Sequence, residues 1–510
     1  MTLEEILAVE DISKKIQLLK AYRKTPLPKV KELRDEWDPD QHDVMNPSIR
    51  KKRKVLVKEA EYGEDDNIIK PAIYQEEDVN RVALPIEQEI VNIHTAFTVG
   101  KDPLLSYKSN GKKEDDLYAV VQTINRDNKI RYQNKRVTRT WFSEQDVVEY
   151  WYEKTDTGFW AKVAAKIKQL FGKVKPSNKL RCTIWSPFRG DTLYPFFDET
   201  GDYVAQSRSY TITEHTLFGR RRVEFFQTVT ATSVFVWKKV SGVWSLDERK
   251  SFEHHFPKLP CIYGYRDRTL CHNIKPQRAR LEKVLSDYAD CIDYHFFPYL
   301  ILKGELAGEA GLGNQDERRR MIKIEEEGDA FYLTWDQTPE AIKLEITTLL
   351  ENIYGLTSTP RITFENMKNL GQAVSGVAFK YMFMQILLAV DNHAEVLGEF
   401  LQRRYNFLVA AIGSMCPGLK EAADTIDITV EIQPYSIDNL KEKLEIATGA
   451  KDAKFMSRKS GIMFLGMTDQ VEEEIAQIDE EDKEQAQKDA QNGQGAAKTG
   501  EKPAASAPAK

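Results

Sequence analysis

Five side chains able to bind a soft metal, His254, His255, Cys261, Cys271 and His272, fall within nineteen residues of this 510-residue chain. No CxxC or HxxxH spacing occurs among them, so satisfied or exposed side chains are a better reading than a zinc site. Acidic clusters such as Glu325, Glu326, Glu327 and Glu472, Glu473, Glu474 could hold magnesium. Three consecutive carboxylates diverge on a helix and on a strand alike, so each triplet reads as a solvated charged face. A GxxxxGK[ST] phosphate cradle is missing, and Gly311 and Gly313 do not supply its spacing. HExxH and GxSxG are missing too, which removes the commonest metalloprotease and hydrolase signatures. No cofactor is implied. What remains is polar and non-catalytic: the segment TSTPRITFENMKNLGQAVSG, in which Asn366, Lys368, Asn369 and Gln372 leave nothing to build a core with, a loop suited to touching something that moves past it.

The element that must position this segment follows it directly. Val377, Tyr381, Met384, Leu387, Leu388, Val396, Phe400, Tyr405 and Leu408 recur at spacings near three and four, which predicts a helix. It runs from 374 to 413 without proline, and at 1.5 Å per residue it would be roughly 55–60 Å long. Between Tyr381 and Val390 it is apolar nearly all round, so burial is expected on several sides, by its own domain or by copies of itself.

The rest of the chain reads as a mixed fold. Residues 1 to 35 open helically, with Ile6, Ile12, Ile16 and Leu19 in register, and the charged stretch from Trp37 to Asp66, with RKKRK at 50 to 54, reads as a solvated arm. A helix ending at Gly100 and a short strand follow, then a helix from about Asp115 to Trp141. The basic amphipathic stretch 159 to 175 could lie on a membrane, but packing against a neighbouring domain explains it better because nothing else points to a membrane. Residues 180 to 265 alternate as an antiparallel meander. Helices near 275–296 and 339–355 flank two short strands and a glycine-rich, charged stretch, and IDITVEIQP (426 to 434) reads as a strand. Ser436 caps a helical C-terminal region, and from Asp479 onward no Val, Ile, Leu, Met or aromatic residue remains to order the tail.

Composition sets outer bounds. The length calls for two or more packed regions. A formal charge of −6 and a pI near 5.9 exclude a protein that clings to nucleic acid over its whole surface. Five cysteines, an odd number at irregular spacing, fit a reducing interior. The acidic N-terminus is unlike a signal peptide, and no apolar run reaches the roughly 20 residues that span a bilayer. A soluble, intracellular protein is expected.

Several stretches, in this order, resemble the portal proteins of tailed bacteriophages, in particular the siphovirus branch. NRVALPIEQEIVNIHTAFTVGKDPLLSY (80 to 107) looks like that family's early helix and its ending. HHFPKLPCIYGY (254 to 265) resembles the step out of the family's β-sheet, with Pro257 and Lys258 where glycine is usual. IKPQRARLEKVLSDYADCIDYH is similar to a family helix centred on Asp287-Tyr288, and SGVAFKYMF (375 to 383) looks like the head of the family's long helix.

The resemblance, which covers roughly residues 80 to 480, implies an α+β fold: long helices, an antiparallel β-rich wing, a small α/β clip insertion and a helical C-terminal crown. Residues 1–79 would be an N-terminal helical arm, 80–273 the wing, 274–297 and 339–355 two stem helices, and 298–338 the clip. Residues 356–373 would be a tunnel loop, 374–435 the long wing helix and a strand, 436–482 the crown, and 483–510 a disordered tail. A dodecameric ring at one capsid vertex is implied, passing double-stranded DNA inward and outward. The terminase large subunit, the major capsid protein and a head-tail adaptor would be its partners. Asn366, Lys368, Asn369 and Gln372 would then face DNA. In the clip, Arg318, Arg319 and Arg320 would dock terminase or adaptor, or bridge neighbouring clips through nearby glutamates. The rivals are a magnesium-dependent nucleic-acid-processing enzyme and a scaffold that forms no ring.

Overall fold

The computed structural model describes residues 1–58, 60–62, 68–154, 179–216, 219–295, 299–303, 329–333, 339–361, 383–435, 440–466, 471 and 474–484. Its contacts divide it into two compact units, Met1–Tyr435 and Ser436–Lys510.

In the first unit, helices α1 (Leu3–Leu7), α2 (Ile12–Ala21) and α3 (Val30–Trp37) open the chain. Thr2 and Glu5 form a reciprocal capping box on α1, and Asp11 accepts from the Ser13 and Lys14 amides at the start of α2. The expected solvated arm is in part an exposed two-stranded ribbon, β1 (Arg53–Lys58) against β2 (Ile73–Glu77). Helix α4 (Ile86–Val99) leads to strand β3 (Leu104–Tyr107). The single helix expected over 115–141 is two, α5 (Lys112–Asp127) and α6 (Ile130–Glu144). Lys129 sits at a positive φ of 53° between them, and the Asn128 side chain bonds the Leu180 carbonyl and the Cys182 amide. A tertiary contact thus holds a break that periodicity alone would have read through.

Next come β4 (Asp146–Lys154), β5 (Lys179–Trp185), β6 (Thr192–Phe197), β7 (Tyr203–Thr216), β8 (Gly219–Val229), β9 (Ser233–Val240), β10 (Val243–Leu246) and β11 (Cys261–Tyr265). Strands β10-β9-β8-β7-β6 form an antiparallel meander in that order, with Phe252–Glu253 paired to β9; β11-β4-β5 make a separate three-stranded sheet, so the meander expected over 180 to 265 holds for its middle and not for its two ends. Helix α7 (Lys275–His295) precedes β12 (Tyr299–Lys303), which pairs antiparallel with β13 (Asp329–Leu333), and α8 (Pro339–Leu356) follows. The Arg280 guanidinium meets Glu345 at 2.7 Å between α7 and α8. The long helix α9 (Met384–Met415) gives way to α10 (Lys420–Thr425) and to β14 (Ile428–Glu431), which pairs with β3.

The largest core lies where α4, α5, α6 and α9 meet the three-stranded sheet, with Ile90, Leu117, Phe142, Trp151 and Leu408 at its centre. A second fills the space between the two sheets, and Ile6, Ile16 and Leu19 pack on the other face of the meander against Phe226 and Trp237. Of the burial expected on several sides near the start of α9, by its own domain or by copies, one copy supplies that of Ile386 and Val390, while Met384 and Leu388 are 51% and 58% exposed in it.

The second unit contains α11 (Leu440–Asp452) and α12 (Arg458–Leu465), the latter capped by Ser457. Residues 474–484 are also helical, although order was not expected from Asp479 onward. Ion pairs from Arg458 to Asp479 at 2.8 Å and to Asp482 at 3.0 Å stand in for the missing apolar burial. Ser436, the basic stretch 159 to 175 and residues 485–510 lie outside the described residues.

Candidate functional site

All seven residues singled out by sequence for contact with DNA or partners, Asn366, Lys368, Asn369 and Gln372 together with Arg318, Arg319 and Arg320, lie outside the described residues. So do Glu325, Glu326, Glu327, Glu472 and Glu473. What the structure does show is how the chain is held on either side of residues 362–382, and α4 holds both sides.

Thr359, on the N-terminal side of that segment, has its hydroxyl 3.0 Å from His94 Nε2 and 2.8 Å from the hydroxyl of Thr357. On the C-terminal side, the Phe383 ring lies 5.5 Å from Phe97, and Ile386 and Val390 are buried against Phe97 with Ile93 and Leu387 beside them. His94 Nδ1 also meets His393 Nε2 of α9 at 3.3 Å, which ties the two sides together. Both histidines are buried. Burial is the main reason that the His94 pKa falls to about 4 and that of His393 to about 3, and the nearby Arg266 charge pushes both the same way. The pair is therefore neutral near pH 7 and acts as hydrogen-bonding mortar.

Sequence reasoning passed over this pair. A signal existed: the buried positions 386, 390, 393, 397, 400, 401 and 404 of α9 form one stripe, and His393 stands in it.

Further along the same stripe, Arg404 is fully buried. Its Nε and Nη2 donate to the two carboxylate oxygens of Glu149 on β4 at 2.9 and 2.5 Å, and Nη1 donates to Asn134 Oδ1 on α6 at 2.5 Å. This bidentate pair satisfies a charge that could not otherwise be buried, and it pins the long helix to the sheet.

Helix α7 is braced differently. The extended stretch before α4 runs along it, and alternate backbone amides donate to side chains spaced four apart: Leu84 to Glu282 at 2.9 Å, Val82 to Ser286 at 2.9 Å and Asn80 to Asp290 at 2.7 Å. Two residues of extended chain advance about 6.6 Å and four of helix about 6 Å, so the two registers nearly match. His42 adds a 2.7 Å contact to Glu282, and Arg50, from the arm expected to be solvated, bridges Asp287 and Asp290.

The histidines and cysteines between 254 and 272 do not converge. His254 Nε2 meets the Thr230 carbonyl at 3.0 Å, Cys261 lies between the two sheets, and Cys271 packs in the helical core. Burial raises the Cys261 and Cys271 thiol pKa values, which suits packing and not metal binding. Among the described residues no group of three or more metal-binding side chains is found, and no helix is long and apolar enough to cross a membrane.

The described frame therefore uses buried charges to brace long helices, and a neutral histidine pair with apolar packing to hold the chain on either side of residues 362–382, a division of labour that suits a structural assembly protein. The family model described as "Phage portal protein, SPP1 Gp6-like" matches residues 19–488, and the chain belongs to that family. Portal proteins are structural components of phages, not a family of enzymes. Among solved structures, the chain is similar to one in "Neck of empty GTA particle computed with C6 symmetry", with 11% identity, 76% of this chain and 90% of that chain covered, and a TM-score of 0.40. It is also similar to one in "Virion of native gene transfer agent (GTA) particle", with 10% identity, the same coverage and a TM-score of 0.38. No curated protein matches it.

Proposed function

We propose that copies of this chain close into a ring at one capsid vertex and that duplex genome DNA passes through the ring during packaging and ejection. The observation that carries this reading is the portal-family match along residues 19–488. Within that frame, the first unit up to about residue 273, with the long helix crossing it, serves as the wing. Helices α7 and α8 serve as the stem, the paired strands β12 and β13 as the base of the clip, and the helices after Tyr435 as the crown. Residues 356–373 serve as the tunnel loop, with Asn366, Lys368, Asn369 and Gln372 toward DNA; Arg318, Arg319 and Arg320 in the clip meet terminase or the head-tail adaptor. The major capsid protein surrounds the wing.

Electrostatics supports a channel that does not grip. Each copy carries a formal charge of −6, and a ring multiplies it, so phosphate is repelled on average while a few amides and lysines make passing backbone contacts.

Electron microscopy of the purified full-length protein is expected to show rings with a central hole; a stable monomer at high concentration, with no rings in particles, overturns the reading. Replacing Lys368 and Asn369 together with Ala is expected to leave rings intact and to impair packaging or retention of DNA. Normal genome filling in that variant removes the loop from the mechanism.

A further inference from the structure

An open cavity of about 680 Å³ lies between the end of α8, the outer face of α9 and the loop after β11, and Trp141, Arg266, Arg268, Ser358, Asn392 and Val396 are among its lining residues. Its wall is unbalanced in charge. Arg266 is half-buried, and its guanidinium lies 5.1 Å from the ring centroid of Trp141 and 5.5 Å from that of Phe142. No described residue offers that guanidinium a hydrogen bond or an ion pair. Partial burial lowers its pKa, because the charged form loses some of its hydration there. Arg268 adds a second, exposed cation, whereas the neighbouring Asp267 carboxylate is engaged by the Tyr265 hydroxyl. Trp141 is 4% exposed, and its indole N–H has no acceptor. Among the described residues, then, the Arg266 guanidinium is a cation at the cavity without an acceptor.

The rim has a different chemistry. Leu356 is 56% exposed, and on α9 Leu388 and Val396 are 58% and 40% exposed, one turn either side of the exposed Asn392.

We propose that this cavity is where a second copy of the chain docks, with a carboxylate of the neighbour completing Arg266 while its apolar side chains cover Leu356, Leu388 and Val396. A DNA phosphate would satisfy the guanidinium but leave the apolar rim in water; a protein surface with an acid beside apolar side chains covers both. The partner's charge also fits, since each copy carries 79 acidic against 73 basic residues. The proposal rests on the ring reading above and names one contact within it.

The test uses full-length protein, native mass spectrometry and electron microscopy. Arg266→Glu is expected to raise the concentration needed for assembly by roughly thirtyfold or more, whereas Arg266→Lys keeps most of it. Asn392→Trp fills the cavity from an exposed helix position without altering Arg266, so it is expected to weaken assembly even if Arg266→Glu folds poorly; circular dichroism and thermal unfolding report on folding in each. Wild-type rings alongside equally stable rings of Arg266→Glu and Asn392→Trp overturn the docking site and leave the ring reading standing. Wild-type protein that never assembles overturns both. Unchanged ring mass with lost DNA retention in Arg266→Glu assigns the cavity to phosphate and also overturns the proposal.

Discussion

Arg404 and Glu149 form the most consequential pair of single residues in the frame, because neither side chain is accessible to water and each is the other's counter-charge. Arg404→Leu leaves Glu149 buried and unpaired, so a loss of roughly 3–5 kcal/mol is expected. Adding Glu149→Leu should recover much of that, as replacing a whole buried pair by apolar groups is often close to neutral. Guanidinium titrations of the single and double variants check this, and equal destabilisation would show that packing, not charge, governs the site. Arg404 stands beside Arg403 in the sequence as an ordinary charged interruption of an apolar helix. Its place on the buried stripe could be read from periodicity, but its partner, 255 positions away, could not. The histidine pair makes a second test at this scale. The unfolded chain binds protons at His94 and His393 below about pH 6.5, but the folded protein resists them until pH falls to about 4 and about 3. Stability contributed by the neutral pair is therefore complete above pH 6.5 and drains away as pH falls through that window. His393→Asn should flatten the fall in stability between pH 6.5 and 4.5, by up to about 1.4 kcal/mol per pH unit for one group. Denaturant midpoints at the two pH values decide it, and an unchanged slope would mean that other groups carry the acid sensitivity.

Helices and strands were more legible than the contacts that hold them. The meander, α7, α8 and the strand pair between them follow from alternation and helix periodicity, which are local signals. The ends and breaks are not local. Gly413 was expected to end the long helix, yet the helix continues to Met415, and the glycine serves another purpose. A Cβ there would sit 2.7 Å from the Ala423 Cβ, so its absence lets α10 turn back closely against α9. The bracing of α7 was equally hidden, since Glu282, Ser286 and Asp290 look like a hydrophilic face until the amides of residues 80–84 are laid along them. Ser286 accepts the Val82 amide while donating to the Glu282 carbonyl at 2.7 Å. Ser286→Ala strands that amide and is expected to cost about 1–3 kcal/mol. It should also speed hydrogen exchange at Val82 and Leu84 more than in α4, which follows them. Uniform acceleration across the unit would mean that the stretch is held by packing alone.

For the whole molecule, the balance of charge makes a prediction that separates a conduit from a binding protein. Exposed charges on copies that each carry −6 repel one another and repel duplex DNA over a range set by the Debye length, about 8 Å at physiological ionic strength. A half-buried pair such as the one proposed at Arg266 is screened much less. Moderate salt should therefore favour the proposed ring, because it weakens the repulsion between copies more than the contacts that join them. DNA should behave in the opposite sense to an ordinary basic DNA-binding protein. Each phosphate neutralised contributes a slope of about −0.9 to a plot of log affinity against log salt, and lysines as sparse as Lys368 in the proposed tunnel loop supply few such contacts at any instant. Short duplexes titrated into assembled protein between about 50 and 200 mM salt, the range over which a basic binder loses about 10³–10⁵ in affinity, should bind weakly with a shallow slope. A tight complex that salt dissolves steeply would place a basic wall around the duplex. A channel of that kind would grip its cargo, and the low-friction passage proposed here would be wrong even if rings are seen.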